Sequence, residues 1–143
     1  MAWRLKLARI TAMSWAERGL LLEAAWFLGL SRLALMIMPF RQLARWLERR
    51  PRASTKATSA NYCQIRRAVS IAARNVPWNA VCLPQAMTAK LMLARRGCAS
   101  TLHLGVAKDG RGTLLAHAWL EASGVTVVGG AAKADFSSIS HFG

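Results

Sequence analysis

Apolar residues dominate positions 14–50 and recur at helical intervals: Leu22, Ala25, Trp26, Gly29 and Leu33 follow one another at spacings of three and four. Proline breaks helices, so Pro39 divides this segment into two helical stretches. The Leu22–Trp26–Leu33 side is read as the core side of the first. Apolar residues occupy nearly every side of that stretch, however, so it is expected either to be buried on several faces or to lie against lipid or a partner. Residues 19–38 are about one bilayer thickness long. Glu23 and Arg32 fall inside them, at a cost within a bilayer, which favours the core-helix reading.

Positions 51–60 lack periodicity and combine Pro, Ser and Thr, so they predict a connecting loop. The helical period returns with Ile65, Ala68, Val69 and Ala72 on one side and Gln64, Arg66, Arg67 and Arg74 elsewhere, and it stops before Pro77. A further helix starts close to Cys82, because Pro84 is tolerated only in a first turn, and it stops at Gly97 after Arg95 and Arg96. The period then changes. Residues 101–106 alternate, a Gly-rich turn follows, 113–121 continue extended, and a second turn at Ser123-Gly124 leads into a short strand at 125–128. Residues 131–143 give no strong signal, with Phe136, Ile139 and Phe142 available to pack back on the core. Helices followed by an antiparallel meander predict an α+β fold. Its expected parts are an N-terminal helical region and linker (1–60) and a core (61–143), forming one compact unit.

A chain of 143 residues with 54% hydrophobic and 18% charged residues can bury a core, which excludes global disorder, and it is too short for two full domains. Its formal charge of +14 calls for an anionic partner such as nucleic acid, a membrane or an acidic peptide. Residues 1–75 carry 14 Lys/Arg against 3 acids, so the excess belongs to the helical half. Trp15, Trp26 and Trp46 have apolar helical neighbours, which makes core packing a better explanation of the tryptophans than base stacking and makes nucleic acid an unfavoured partner. Cys63, Cys82 and Cys98 are an odd set at spacings matching no zinc or CxxC pattern. They fit a reducing cytoplasm, with no metal and no cofactor expected. The basic N-terminus is not followed by an apolar stretch with a small-residue cleavage site, so no secretory signal is expected.

The candidate chemistry lies in Cys82 and His117. A thiol at a helix start feels the positive end of the dipole and unsatisfied amides, which favour thiolate. Ala86 and Ala89 follow at i+4 and i+7, small enough to let a sheet approach. Strand alternation groups Leu115, His117 and Trp119 on one face, and if that face covers the Cys82 helix the imidazole can serve as base to a nucleophilic sulfur. The bland alternative is a small buried cysteine and a satisfied core histidine. Cys63 and Cys98 lack the helix-start context and are read as structural, His103 as a half-buried strand residue, and His141 falls in the unreadable tail.

Pro77-Trp78, Cys82-Leu83, a helix ending in Arg95-Arg96-Gly97, the run from Thr101 to Gly105 and Ala116-His117-Ala118-Trp119 together resemble the lasso peptide maturation proteases. These are called B proteins, or B2 proteins where the leader-binding domain is a separate chain. Pro39-Phe40 before an Arg-rich helix extends the likeness to roughly residues 14–130. The resemblance implies a transglutaminase-like, papain-related fold with a Cys-bearing helix packed on a small antiparallel sheet. It also implies a leader peptidase acting in the maturation of ribosomally made peptides. The family's Cys falls on Cys82 and its His on His117, but the Asp that many members carry falls near Gly129. Three options stay open for the third member: Asp135 folds back, a backbone or amide oxygen orients the ring, or the pair acts alone. Glu121 lies four residues along the strand, about 13 Å away, too far to touch His117.

The first 75 residues show no strand pattern, so the chain resembles the split form. That form implies a separate leader-binding partner (RRE-type B1), a lasso cyclase and the precursor peptide as partners. Two other function classes compete. One is transglutaminase-type amide transfer by the same Cys/His pair. The other is a non-catalytic basic protein that binds nucleic acid or a membrane surface, and peripheral contact with the inner membrane is compatible with catalysis as well.

Overall fold

The computed structural model describes residues 2–48, 59–78, 81–108, 110–130 and 137–142. Five helices precede the sheet: α1 (Ala2–Thr11), α2 (Trp15–Ile37), α3 (Phe40–Leu47), α4 (Ser59–Asn75) and α5 (Cys82–Arg95). The strands are β1 (Thr101–Lys108), β2 (Leu114–Ala122), β3 (Val125–Val128) and β4 (Ser137–Phe142), in the antiparallel order β3-β2-β1-β4. The expected α+β class is therefore observed. Residues 51–58 of the expected linker lie outside the described residues, as does Asp135.

Helix ends follow local chemistry. Ser14 caps α2 in a capping box: its hydroxyl accepts from the Glu17 amide at 3.2 Å, and its own amide donates to the Glu17 carboxylate at 2.9 Å. The preceding turn is held by Arg18, whose guanidinium donates to the carbonyls of Ile10 and Thr11. At the end of α5, Gly97 takes φ 71°, the Gly97 amide donates to Ala94 and the Cys98 amide donates to Leu93 at 2.9 Å. This paired arrangement satisfies the last carbonyls and needs the glycine.

One cluster of buried side chains joins α2, α3, α4, α5 and the sheet. Fully buried leucines such as Leu28, Leu93, Leu102 and Leu120 each stabilise it by about 1.5–3 kcal/mol. The packed side of α2 is Ala24, Leu28 and Ser31, which corrects the sequence expectation. Leu22 and Trp26 are each 72% exposed and Leu33 52%. Hydrophobicity could not choose between sides of a helix that is apolar nearly all round, and size did: Ala24 and Ser31 let α5 come close, with the Ser31 and Thr88 hydroxyls 3.5 Å apart. The indoles of Trp15 (84% exposed) and Trp26 are therefore not core residues. The two ionic residues of α2 are partnered. Glu23 bonds Arg96 through both carboxylate oxygens at 2.8 Å and approaches Arg95 at 3.4 Å, while the Arg32 guanidinium lies 5.8 Å from the Trp78 ring.

Helix α4 is tied to the sheet by Arg66, which donates to the carbonyls of Val127 (2.7 Å) and Thr126 (2.5 Å). Arg66 is thus a structural clamp, whereas Arg67 on the next position is two-thirds exposed. β4, for which the sequence offered no signal, pairs with β1 from Leu102 to Val106 across a register shift.

Candidate functional site

Cys82 is the first residue of α5. Val81 precedes it as an N-cap with no side-chain bond, so nothing in the cap satisfies the first-turn amides beside the sulfur. The thiol is half-buried and packs against the core, and α5 lies on the sheet chiefly through β2. Cys63 is exposed on α4 and Cys98 is buried after the Gly97 turn. Ala86 and Ala89 are fully buried, as their small size implied.

His117 stands on β2 opposite Gly105 of β1, with Trp119 opposite His103. The side chains that β2 contributes to the core with α5 are Ala118, Leu120 and Ala122. The strand therefore turns its even-numbered residues toward the helix body, which revises the expectation that the Leu115, His117 and Trp119 face covers α5. Trp119 is buried but lies outside that cluster. Pairing of β3 with β2 reaches only Val128 opposite Leu120, so β2 runs past the end of β3 before His117, and that flank is where the imidazole sits.

Near the position where the resemblance puts the family's Asp, the main chain meets the ring. His117 Nε2 lies 2.8 Å from the carbonyl oxygen of Gly129. Among the described residues a backbone oxygen contacts the ring, and Asp135 lies outside them. Gly129 reaches this position at φ 83°, and a Cβ there would lie 2.6 Å from the Ala118 carbonyl oxygen and 3.0 Å from Trp119 Cα. Only glycine fits so close to β2 at that backbone angle. The sequence offered a backbone oxygen as one option without saying which, although a Gly-Gly pair just after a strand is the kind of signal that marks close backbone approach.

Around His117 the polar residues form a stacked group. His103 stacks on Trp119 with ring centroids 5.3 Å apart and 9° between planes, and His117 stacks on the same indole at 6.1 Å and 22°. Glu121 pairs with His103 at 3.4 Å rather than with His117, as its strand position implied. The indole N–H groups of Trp78 and Trp119 are both buried without a hydrogen-bond partner among the described residues. No group of three or more His, Cys, Asp or Glu that could hold a metal occurs among the described residues.

Neither the curated proteins nor the solved structures contain a match to the chain. A protein-family comparison does find one: the core model of the transglutaminase-like superfamily matches residues 24–141, from the middle of α2 to the last strand. It spans the Cys82 helix and the His117 strand. The chain therefore belongs to the transglutaminase-like superfamily, whose members are typically cysteine peptidases or acyltransferases.

Proposed function

We propose that this protein is a cysteine protease that removes the leader from a ribosomally made lasso peptide precursor, with Cys82 as nucleophile and His117 as base in a papain-related arrangement. The observation that carries the reading is the His117 Nε2 to Gly129 carbonyl bond at 2.8 Å. A carbonyl can only accept, so Nε2 is the donor in this bond, and Nδ1 is the nitrogen we assign as base. In this reading the thiol, at the start of α5 rather than on its body, stands against the imidazole beyond the end of β3: Nδ1 takes the thiol proton, the sulfur adds to the scissile carbonyl, and the peptide C–N bond breaks as the amine leaves with the proton from His117. Water, deprotonated by the same nitrogen, then attacks the thioester and frees Cys82. Half the role of a triad carboxylate is ring orientation, which a carbonyl performs. The other half is charge stabilisation of the imidazolium, which a neutral acceptor performs less well.

Recognition of the leader by a separate binding protein, and ring closure by a cyclase after cleavage, complete the proposed setting. The setting is the cytoplasm at the inner surface of the membrane. Three free thiols suit a reducing compartment. α2 is long and apolar enough to cross a membrane. Its packing on α4 and α5 supports lying in the plane instead, with Trp15, Leu22, Trp26, Leu33 and Ile37 exposed along one side. The test of the activity is mass analysis of precursor incubated with the protein and with Cys82→Ala. Two hydrolysed fragments from the unaltered protein and none from the variant support the reading. A cross-linked amide product would move the assignment to transglutaminase-type transfer, and cleavage by the variant would refute it.

A further inference from the structure

Cations are gathered in one concavity on the side of α2 opposite its exposed apolar stripe. A cavity of about 870 Å³ opens between α1, α2 and α4, and Lys6, Arg9, Arg67 and Arg74 line it with Glu17 as its one carboxylate. Glu17 is already engaged, accepting the Ser14 amide and standing 3.8 Å from Arg67. Ser70 and Arg74 line this cavity and also a second cleft, of about 470 Å³, whose far wall is Gln85. Gln85 is three residues after Cys82, hence on the same side of α5 and within one turn of the thiol. The two clefts adjoin at Ser70 and Arg74, so together they run from the arginines to Gln85, one turn from the candidate nucleophile.

Like charges crowded into a concave wall focus a positive potential and raise the local concentration of an anionic ligand. Arg67 and Arg74 are seven residues apart on α4, about 10 Å by helical rise, a distance that an extended peptide spans in about three residues. We propose that this groove binds an extended acidic stretch of the peptide substrate, with carboxylates about three residues apart, and leads the adjoining bond to Cys82. The inference rests on the peptidase reading and adds to it the class of sequence selected. A peptide fits better than a duplex or a bilayer because the groove is closed on two sides by helices and runs to Gln85. The surface suited to lipid is the other side of α2.

The experiment is fluorescence anisotropy on the full chain carrying Cys82→Ala, with a labelled dodecapeptide bearing Glu at every third position. Its Gln counterpart and a single-stranded oligonucleotide of equal length serve as comparisons. The acidic peptide should bind at least about tenfold more tightly than the Gln peptide, with an affinity that falls as salt rises. The double variant Arg9→Glu/Arg74→Glu should lose that preference, and circular dichroism would establish that it is folded. In the unaltered protein the acidic peptide should also slow alkylation of Cys82. Equal binding of the Glu and Gln peptides, preference for the oligonucleotide, or binding that leaves Cys82 alkylation unchanged would overturn the proposal. These outcomes are separate from failure of the peptidase reading, which shows as uncut precursor whatever the groove binds.

Discussion

His117 and Gly129 are joined side chain to main chain, with Nε2 2.8 Å from the carbonyl oxygen at a point where β3 has already ended. The contact depends on a residue without a side chain. A Cβ at position 129 would press on the Ala118 carbonyl at 2.6 Å, and φ 83° is unfavourable for any other residue. Gly129→Ala is therefore expected to destabilise the fold by about 1–3 kcal/mol and to reduce precursor cleavage beyond the loss of folded protein. Urea denaturation and the cleavage rate per folded molecule check both. Gly129→Asp should be no better, because the added carboxylate comes with the same clash.

The two imidazoles on the Trp119 indole should respond differently to removal. His117→Ala is expected to abolish cleavage and to move the pH profile of Cys82 alkylation. His103→Ala loses the contact with Glu121 and one stacking partner, and should lower stability by about 1 kcal/mol while leaving the profile in place. Equal effects of the two on alkylation would show that His117 is not the partner of the thiol.

Glu23 carries a stability prediction with a definite pH sense. Hydrogen bonds from Arg96, with Arg95 close by, hold its carboxyl below the ordinary carboxylate value. The folded state therefore binds this proton less readily than the unfolded one. The stabilisation is complete above the ordinary carboxylate range and disappears as pH falls through the lowered value. Glu23→Gln should cost about 1–2 kcal/mol at neutral pH, less than a fully desolvated pair because both arginines reach water. The difference from the unaltered protein should shrink as pH falls below the ordinary carboxylate range, as thermal melts across pH would show.

The exposed side of α2 should bind anionic bilayers. Trp15 and Trp26 each offer most of the ~150–250 Å² that such side chains can bury, enough with Leu22 and Leu33 to exceed the patch carried by an ordinary soluble surface. Co-sedimentation with phosphatidylglycerol vesicles is the expected result, with weak binding to phosphatidylcholine. Leu22→Ser/Trp26→Ser should abolish it at unchanged helicity. Dimerisation of the unaltered chain through this side, lost in the same variant, would instead make the stripe a protein interface.

Elements bounded by backbone chemistry were legible from sequence: Pro84 and Gly97 mark the two ends of α5, and alternation with turn residues marks β1 to β3. Orientation was less so. α2 is apolar on nearly all sides, so its buried side was decided by the small size of Ala24 and Ser31 against α5. The odd-numbered grouping of His117 with Trp119 was correct, but which sheet face meets the helices depends on Ala118 and Leu120, residues that look unremarkable in a strand. β4 escaped notice because Ser137, Ser138 and Ser140 give an edge strand little hydrophobic pattern. Arg66 was placed with Arg67 and Arg74 off the apolar side of its helix, because nothing local indicates that its partners are carbonyls some 60 positions away.

Trp119, held between His103 and His117, makes the site readable by light. Protonation of either imidazole sets a cation against the indole face, and an imidazolium in contact with an excited indole quenches its emission. A difference in emission between the unaltered protein and Trp119→Phe, followed against pH, isolates this one indole from the other five and reports the charge of the imidazoles while no substrate is being cut. The stack that buries Trp119 thereby furnishes an intrinsic titration signal, and loss of the signal in His117→Ala but not in His103→Ala would identify which ring the indole follows.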